Sequence, residues 1–282
     1  MQLNEINPGA RKVLLTGGTG FLGSHIARFY KAKGDELTIL KRSSSNLNKI
    51  SDLALDVKLV NIEDFDGGQF DLVIHTASSY GRNGEDLEEV TRANIDFPIE
   101  LLNKLNHDQL HFINIGTSLP ENVNEYARTK HAFIKKARKS FPNLKFSNLI
   151  AEQFYGPHDG TFISFIINKL KENVDHLPLT KGDQSRDFIY FEDVINAIAT
   201  LEELSEGGDF PVGTGKTLKI KEVVELIAKE LKSTTTRLDF GGLEYREQEV
   251  MSSVADTKKL EKMGWSARYD FVEGLRKTLE NW

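Results

Sequence analysis

The chain contains no cysteine. Disulfides, zinc–cysteinate sites, iron–sulfur clusters and a cysteine nucleophile are thereby excluded, and the composition fits a reducing compartment. Chemistry here must use oxygen, nitrogen or a cofactor. Positive charge is also short: 36 bases against 42 acids leave a formal −6. Without a broad positive field there is nothing to neutralise a nucleic-acid backbone, although a local basic pocket is compatible with this balance. Long apolar runs are missing as well. Phe162–Ile167 is far below the roughly 20 residues a membrane-spanning helix needs, and Met1–Ala10 is polar, ends in Pro8-Gly9 and lacks signal-peptide features. The chain therefore reads as soluble and cytoplasmic, with Met1–Ala10 as a short surface lead-in. What is present is 282 residues at 39% hydrophobic content. That is enough for one compound α/β unit or two modest domains without staples.

In the first half, short β-branched runs alternate with amphipathic stretches, the pattern of βαβ units. Strands are expected at Lys12–Thr16, Glu36–Lys41, Val57–Asn61, Asp71–Thr76, Leu110–Ile115 and Lys145–Leu149. Helices are expected from about Phe21, Glu85 and Glu125, with a weaker one over Asn46–Leu53. Strands apolar throughout, such as Val13-Leu14-Leu15 and Leu72-Val73-Ile74, suit a sheet covered on both faces. The expected fold is a doubly wound, parallel α/β Rossmann sheet. Beyond Ile150 the pieces shorten and gain Gly, Asp and aromatics, with Phe188–Glu203, Leu218–Leu231 and Phe271–Leu279 expected as helices.

Thr16–Gly23 reads TGGTGFLG between the first strand and the first helix. Gly18, Gly20 and Gly23 fit G-x-G-x-x-G, while Gly17, Gly20 and Gly23 fit G-x-x-G-x-x-G. Either spacing suits a tight turn, a close approach to a pyrophosphate and a helix packed on a strand. The helix N-terminus adds unpaired N–H groups and a partial positive charge. No Lys-Ser/Thr follows the glycines, so a P-loop hydrolase is disfavoured. Where NAD-selective sites carry an acid at the end of the second strand, this chain has Lys41-Arg42 followed by Ser43-Ser44-Ser45. Bases and hydroxyls suit a 2′-phosphate, so NADP(H) is expected, with NAD(H) as the alternative.

Tyr126 and Lys130 are spaced i,i+4 on one face of an expected helix. An ammonium beside a phenol stabilises its phenolate, which adapts tyrosine to proton transfer at neutral pH. Thr117, after the fifth expected strand, adds a hydroxyl for the same carbonyl oxygen. The seven histidines, His25, His75, His107, His111, His131, His158 and His176, show no metal-ligand spacing. His158 alone is placed near a substrate entrance. The acids form no compact Mg²⁺ cluster, and no metal is expected.

Taken in order, these motifs resemble the extended short-chain dehydrogenase/reductases that act on nucleotide-activated sugars. His75-Thr76-Ala77, Asn94 in Ala-Asn-Ile-Asp-Phe-Pro, Phe154-Tyr155-Gly156-Pro157, Arg186-Asp187-Phe188-Ile189-Tyr190 with Asp193-Val194, Val212-Gly213-Thr214-Gly215, Arg246 and Gly264-Trp265 carry the resemblance. It implies a catalytic tetrad of Asn94, Thr117, Tyr126 and Lys130, with Lys130 also binding nicotinamide-ribose hydroxyls. The implied cofactor site comprises Gly17, Gly18, Thr19, Gly20, Phe21, Leu22 and Gly23 in the turn, Lys41, Arg42, Asn61 and Ile62 toward the adenosine, and Thr76, Ala77, Ser78, Asn94, Tyr126 and Lys130. The implied substrate side is Ser79, Arg82, Thr117, Ser118, Gln153 and Phe154, with Arg186 and Arg246 clamping a diphosphate as guanidinium forks can. Ordinary ion pairs of these arginines with Asp187, Glu247 or Glu249 are the competing reading.

The resemblance further implies a dinucleotide-binding domain of residues 1–150 plus about 187–206, a substrate domain of 151–186 plus 207–282, and a homodimer through the helices starting near Glu85 and Glu125. Thr117 is followed by Ser118-Leu119 instead of the Asp-Glu of sugar 4,6-dehydratases, and the missing cysteine disfavours the fucose-forming epimerase-reductases. The segment between Thr117 and Tyr126 is short, and Ile150 stands where the family has an arginine before Tyr-Gly-Pro. Tracts Gly182–Asp193, Val212–Gly215 and Glu247–Ala255 resemble nucleotide-linked 4-keto-6-deoxysugar 4-ketoreductases. A nucleotide-sugar 4-epimerase with tightly held NAD is the alternative enzyme, and a non-catalytic NAD(P)-binding regulatory module the alternative outside enzymes.

Overall fold

The computed structural model describes residues 10–82 and 84–282. Of the expected lead-in Met1–Ala10, residues 1–9 lie outside the described residues. The chain divides into two compact units, one made of the residues up to Gly116 with Asn124–Leu149 and Leu201–Asp209, the other of Thr117–Val123, Ile150–Thr200 and Phe210–Trp282.

The first unit begins β1 (Lys12–Thr16), α1 (Phe21–Ala32), β2 (Glu36–Lys41), β3 (Lys58–Asn61) and β4 (Leu72–His75). It continues with α2 (Leu87–Thr91), a π-helical turn at Arg92–Asp96, α3 (Phe97–Lys104), β5 (His111–Ile115), α4 (Glu125–Ser140) and β6 (Lys145–Ala151). Strand β1 pairs parallel with both β2 and β4, β2 with β3, β4 with β5, and β5 with β6. The sheet order is β3-β2-β1-β4-β5-β6, closed by a seventh strand at Gly208–Val212. The order reverses direction between β1 and β4, and ligands of such sheets bind beyond the carboxyl ends of the strands at that reversal.

On one face Leu14, Val73, Leu101, Phe112, Phe133 and Phe146 form a buried cluster. Phe112 and Phe146 stack with centroids 5.5 Å apart. Each such side chain contributes about 1.5–3 kcal/mol of burial. The helix expected from Glu85 starts at Leu87 instead, because Asp86 and Glu89 close a capping box there. The stretch Asn46–Leu53 yields only a 3₁₀ turn at Asn48–Ile50.

The second unit is built from short pairings. Strand β7 (Gln153–Tyr155) runs parallel to β10 (Phe188–Tyr190), and β8 (His176–Leu179) to β13 (Arg237–Phe240). Strand β9 (Ser185–Arg186) lies between β12 (Leu218–Lys219) and β14 (Ser252–Ser253). Helices α5 (Phe162–Lys171), α6 (Phe191–Glu202), α7 (Ile220–Glu230), α8 (Lys258–Glu261) and α9 (Phe271–Glu280) complete the regular elements, with Gly208–Val212 numbered β11.

Two expectations are corrected here. The helix expected over Phe188–Glu203 begins only at Phe191, because Phe188–Tyr190 pairs with Gln153–Tyr155. Likewise Leu218–Lys219 is strand, and the helix starts at Ile220. Residues 187–200 lie in the second compact unit and Leu201–Asp209 in the first. The β7–β10 pairing and the bonds made by Asp187 tie residues 187–200 to the second. Among the described residues, no helix is long and apolar enough to cross a membrane.

Candidate active site

In the first unit the glycine turn joins β1 to α1. Gly17 has φ +72°, in the left-handed region, and a Cβ there would strike Thr76 and the Ala77 backbone. A Cβ on Gly23 would run into the Gly17 carbonyl, so this glycine lets the helix pack on the strand. Gly20 is exposed at the N-cap of α1, and its N–H donates to the Gly17 oxygen at 2.9 Å. The working spacing is therefore Gly17–Gly20–Gly23. Gly18 instead packs on Ile39 of β2.

No acid occupies the first turn of α1, so its positive end is free of competing carboxylate charge. Thr19 and Phe21 are half-buried and Leu22 is buried. These residues fit a bound pyrophosphate. The turn is braced from β4: Thr76 Oγ1 donates to the Thr16 carbonyl at 2.8 Å, and the Ala77 N–H to Thr16 Oγ1 at 3.3 Å. Ser78 follows half-buried. His75 meets Thr16 Oγ1 at 2.7 Å, and burial, reinforced by the Lys130 charge, pulls its pKa well below the ordinary value.

At the end of β2, Lys41 Nζ donates to Asn61 Oδ1 at 2.6 Å and Asn61 Nδ2 to Asp64 at 2.8 Å. Arg42 is exposed, in a turn where its N–H bonds Ser45 Oγ at 3.0 Å. Ile62 packs against the core cluster.

Asn124 caps α4 by accepting the Ala127 N–H at 2.8 Å, which fixes the helical phase of Tyr126 and Lys130. Lys130 is only 2% exposed, and burial lowers its pKa to about 8. Asn94 sits in the π-helical turn, a feature frequent at functional sites. Its Oδ1 accepts the Ser79 N–H at 2.7 Å, while Nδ2 donates to the Ser79 carbonyl and to Thr129 Oγ1, both at 2.9 Å. Asn94 thus clamps the segment after β4 to the helix carrying Tyr126 and Lys130. The next residue, Tyr80, stacks on Tyr126 with centroids 4.5 Å apart, and the Arg82 guanidinium lies 5.4 Å from the Tyr80 ring. Tyr80 was missed in the sequence; the available signal was an aromatic directly after Ser78-Ser79.

Thr117 belongs to the second unit, where it is half-buried and its Oγ1 accepts the Leu119 N–H at 3.2 Å. Ser118 Oγ donates to Glu152 at 3.0 Å. Gln153 and Phe154 are half-buried in β7. Arg186 is 9% exposed and donates to Glu249 at 2.7 Å, the ion pair named in the competing reading. Arg246 is exposed, and its backbone carbonyl accepts the Glu249 N–H at 3.1 Å.

Asp187 is fully buried and bonds the Thr214 N–H and hydroxyl, the Gly215 N–H and the Ala255 N–H. Asp193 similarly accepts the Arg268 and Tyr269 N–H groups. These motif carboxylates stitch loops together. A cleft of about 480 Å³ in this unit, walled by Phe188, Leu218, Leu226, Tyr269 and Phe271, includes none of the expected site residues. His158 packs on Trp282 at 4.5 Å. Among the described residues, no group of three or more His, Asp or Glu is arranged to hold a metal.

The strand order and the glycine turn between β1 and α1 define a Rossmann-type α/β fold. The chain belongs to the NAD dependent epimerase/dehydratase family, whose model matches residues 13–213. It is 31% identical to a CDP-abequose synthase of Salmonella muenchen, over 95% of this chain and 97% of that protein. Its fold matches the UDP-glucose 4-epimerase of Thermotoga maritima, solved with UDP-glucose, with a TM-score of 0.82 at 20% identity, covering 95% of this chain and 97% of the other. An enzyme of Bordetella bronchiseptica solved with NAD and UDP matches with a TM-score of 0.81 at 19% identity, covering 96% and 94%.

Proposed function

We propose that this protein reduces the C4 keto group of a nucleotide-activated 4-keto-6-deoxysugar, using NADPH, as a homodimer in the biosynthesis of a deoxysugar-containing glycan. The observation that carries the reading is Lys130, buried one helical turn from Tyr126 on a helix whose phase is set by Asn124 and held by Asn94. The similarity to CDP-abequose synthase supports a nucleotide sugar as substrate.

The glycine turn and the N-terminus of α1 would hold the pyrophosphate of the dinucleotide, and Lys41 and Arg42 a 2′-phosphate. When bound, the dinucleotide supplies the hydride. Tyr126 gives its hydroxyl proton to the carbonyl oxygen as that oxygen gains charge, and Thr117 donates a hydrogen bond to the same atom. The Lys130 ammonium stabilises the phenolate left on Tyr126. Its burial strengthens that interaction by excluding water, while lowering its pKa to about 8. Asn94 is a positioning residue in this scheme. Arg186 and Arg246 would take the substrate diphosphate, as guanidinium forks can.

Oxidation of NADPH and NADH by CDP-, dTDP-, GDP- and UDP-linked 4-keto-6-deoxysugars tests the proposal. Oxidation with at least one, faster with NADPH, is expected. No oxidation with any would overturn the reductase reading, and a preference for NADH would overturn the role of Lys41 and Arg42. Cofactor retained on purification, with turnover in its absence from the medium, would favour the 4-epimerase.

A further inference from the structure

Glu152 is a buried carboxyl group that the reduction does not use. It is 6% exposed and directly follows the apolar strand end Leu149-Ile150-Ala151 of β6. Two segments of the second unit reach its carboxyl group. Ser118 Oγ donates to Oε2 at 3.0 Å, and Ser253 Oγ lies 2.9 and 2.8 Å from Oε1 and Oε2. The Ser118 N–H also bonds the Ala151 carbonyl at 3.2 Å, and Ser253 stands opposite Arg186 in the β9–β14 pairing.

Two serine hydroxyls have one proton each to give, whereas a carboxylate offers about four acceptor positions. Burial pushes the Glu152 pKa up despite those two bonds, as expected of a carboxylate short of donors. Ser118 and Glu152 follow the carboxyl ends of β5 and β6 in the chain, the side of an α/β sheet where ligands bind. Through Ser118 the carboxyl group adjoins Thr117, assigned above to the C4 oxygen. Through Ser253 it adjoins Arg186, assigned to the diphosphate that hangs on C1. A pyranose has two edges between C4 and C1: one carries the C2 and C3 hydroxyls, the other the ring oxygen and the C6 methyl. A carboxyl group in need of donors suits the hydroxyl edge.

We infer that Glu152, oriented by Ser118 and Ser253, is a specificity-determining residue that accepts a hydrogen bond from a hydroxyl on the C2–C3 edge of the sugar. The inference rests on the proposed nucleotide-sugar substrate and deepens it. A site built to bond a hydroxyl rejects the analogue lacking it strongly, because its own polar group is then left unpaired.

The test compares kcat/KM for a nucleotide-linked 4-keto-6-deoxysugar with its 2-deoxy and 3-deoxy counterparts, in the wild type and in Glu152→Gln. The wild type should lose on the order of 10- to 100-fold with one of the two deoxy substrates, and Glu152→Gln should shrink that penalty to about threefold or less. Equal treatment of all three substrates by the wild type would overturn the inference. So would a uniform loss in Glu152→Gln, which would leave Glu152 as a tie between two loops.

Ser118→Ala and Ser253→Ala keep the carboxyl group and provide the same comparison should Glu152→Gln not fold; unchanged discrimination in both would overturn the inference. Calorimetric binding of the matching non-keto CDP-sugars and their deoxy analogues separates this proposal from the reductase reading. A hydroxyl penalty in affinity that Glu152→Gln abolishes, without turnover of any keto sugar, would sink the reductase reading alone. Turnover without such a penalty in either assay would sink the role of Glu152 alone.

Discussion

At the candidate site residues the two units handle buried charge differently, although away from them the first unit also pairs buried carboxylates, Asp35 and Glu202 with Arg11. In the first, the ammonium of Lys130 is desolvated to the point where its pKa falls to about 8, and neighbouring polar groups hold backbone: Thr16 and Thr76 brace the turn, and Asn94 clamps Ser79. In the second, Arg186 is paired with Glu249 and Asp187 is bonded by Thr214, Gly215 and Ala255, while Glu152 takes two serine hydroxyls and keeps acceptor positions to spare. A desolvated cation without such satisfaction is costly to fold and is suited to chemistry. A paired network is suited to fixing loops and to exchanging one partner for a ligand. On the proposed function, the proton donor Tyr126 and its Lys130 lie in the first unit, and the residues proposed for the sugar nucleotide lie mostly in the second.

The largest effect that could break this division is at Tyr126. Tyr126→Phe should lower kcat by about 100- to 10,000-fold with little change in KM, measured by NADPH oxidation at saturating sugar nucleotide. Unchanged kcat would move the chemistry elsewhere. Next comes Asp187→Ala, which should cost about 3 kcal/mol of stability in urea unfolding because several buried N–H groups lose their acceptor at once. A loss confined to activity would instead make Asp187 part of the substrate site.

The pH dependence sharpens the contrast. Lys130 is charged below about pH 8 and neutral above it, so kcat/KM for reduction should be level on the acid side and fall as pH rises through about 8. Lys130→Arg should carry that limb to higher pH, since guanidinium does not titrate in this range. The smallest expected effect is at the cofactor's adenosine end. Arg42→Ala should reduce the NADPH-to-NADH preference about tenfold, as for the loss of one exposed charge-assisted contact.

Much of the first unit was legible in the chain because its structure is local and periodic. Lys12–Thr16 and Glu36–Lys41 form the strands that their β-branched runs announce, and the turn between β1 and α1 needs glycines for reasons that spacing alone reveals. The i,i+4 relation of Tyr126 and Lys130 follows from helix geometry. Spacing did not reveal which glycines do what: two registers fit, and only the packing of Gly18 on Ile39 and of Gly23 on Gly17 separates them.

The second unit was read less well. Phe188–Tyr190 looks like the start of a helix until Gln153–Tyr155 pairs with it. Arg186 and Asp187 are visible as a motif, yet their different fates, one turned to Glu249 and one to backbone N–H groups, depend on segments up to 68 residues away.

The sequence by itself determined the sheet, the glycine turn and the Tyr–Lys helix, since each depends on contacts within a few residues or on a periodic apolar pattern. It also determined what is excluded, because a missing cysteine is missing in any fold. Only the tertiary structure decided that Lys130 loses its water, that Tyr80 lies on Tyr126, and that Glu152 collects Ser118 and Ser253 from distant parts of the chain. Desolvation and convergence are properties of the packed chain, and no local spacing encodes them.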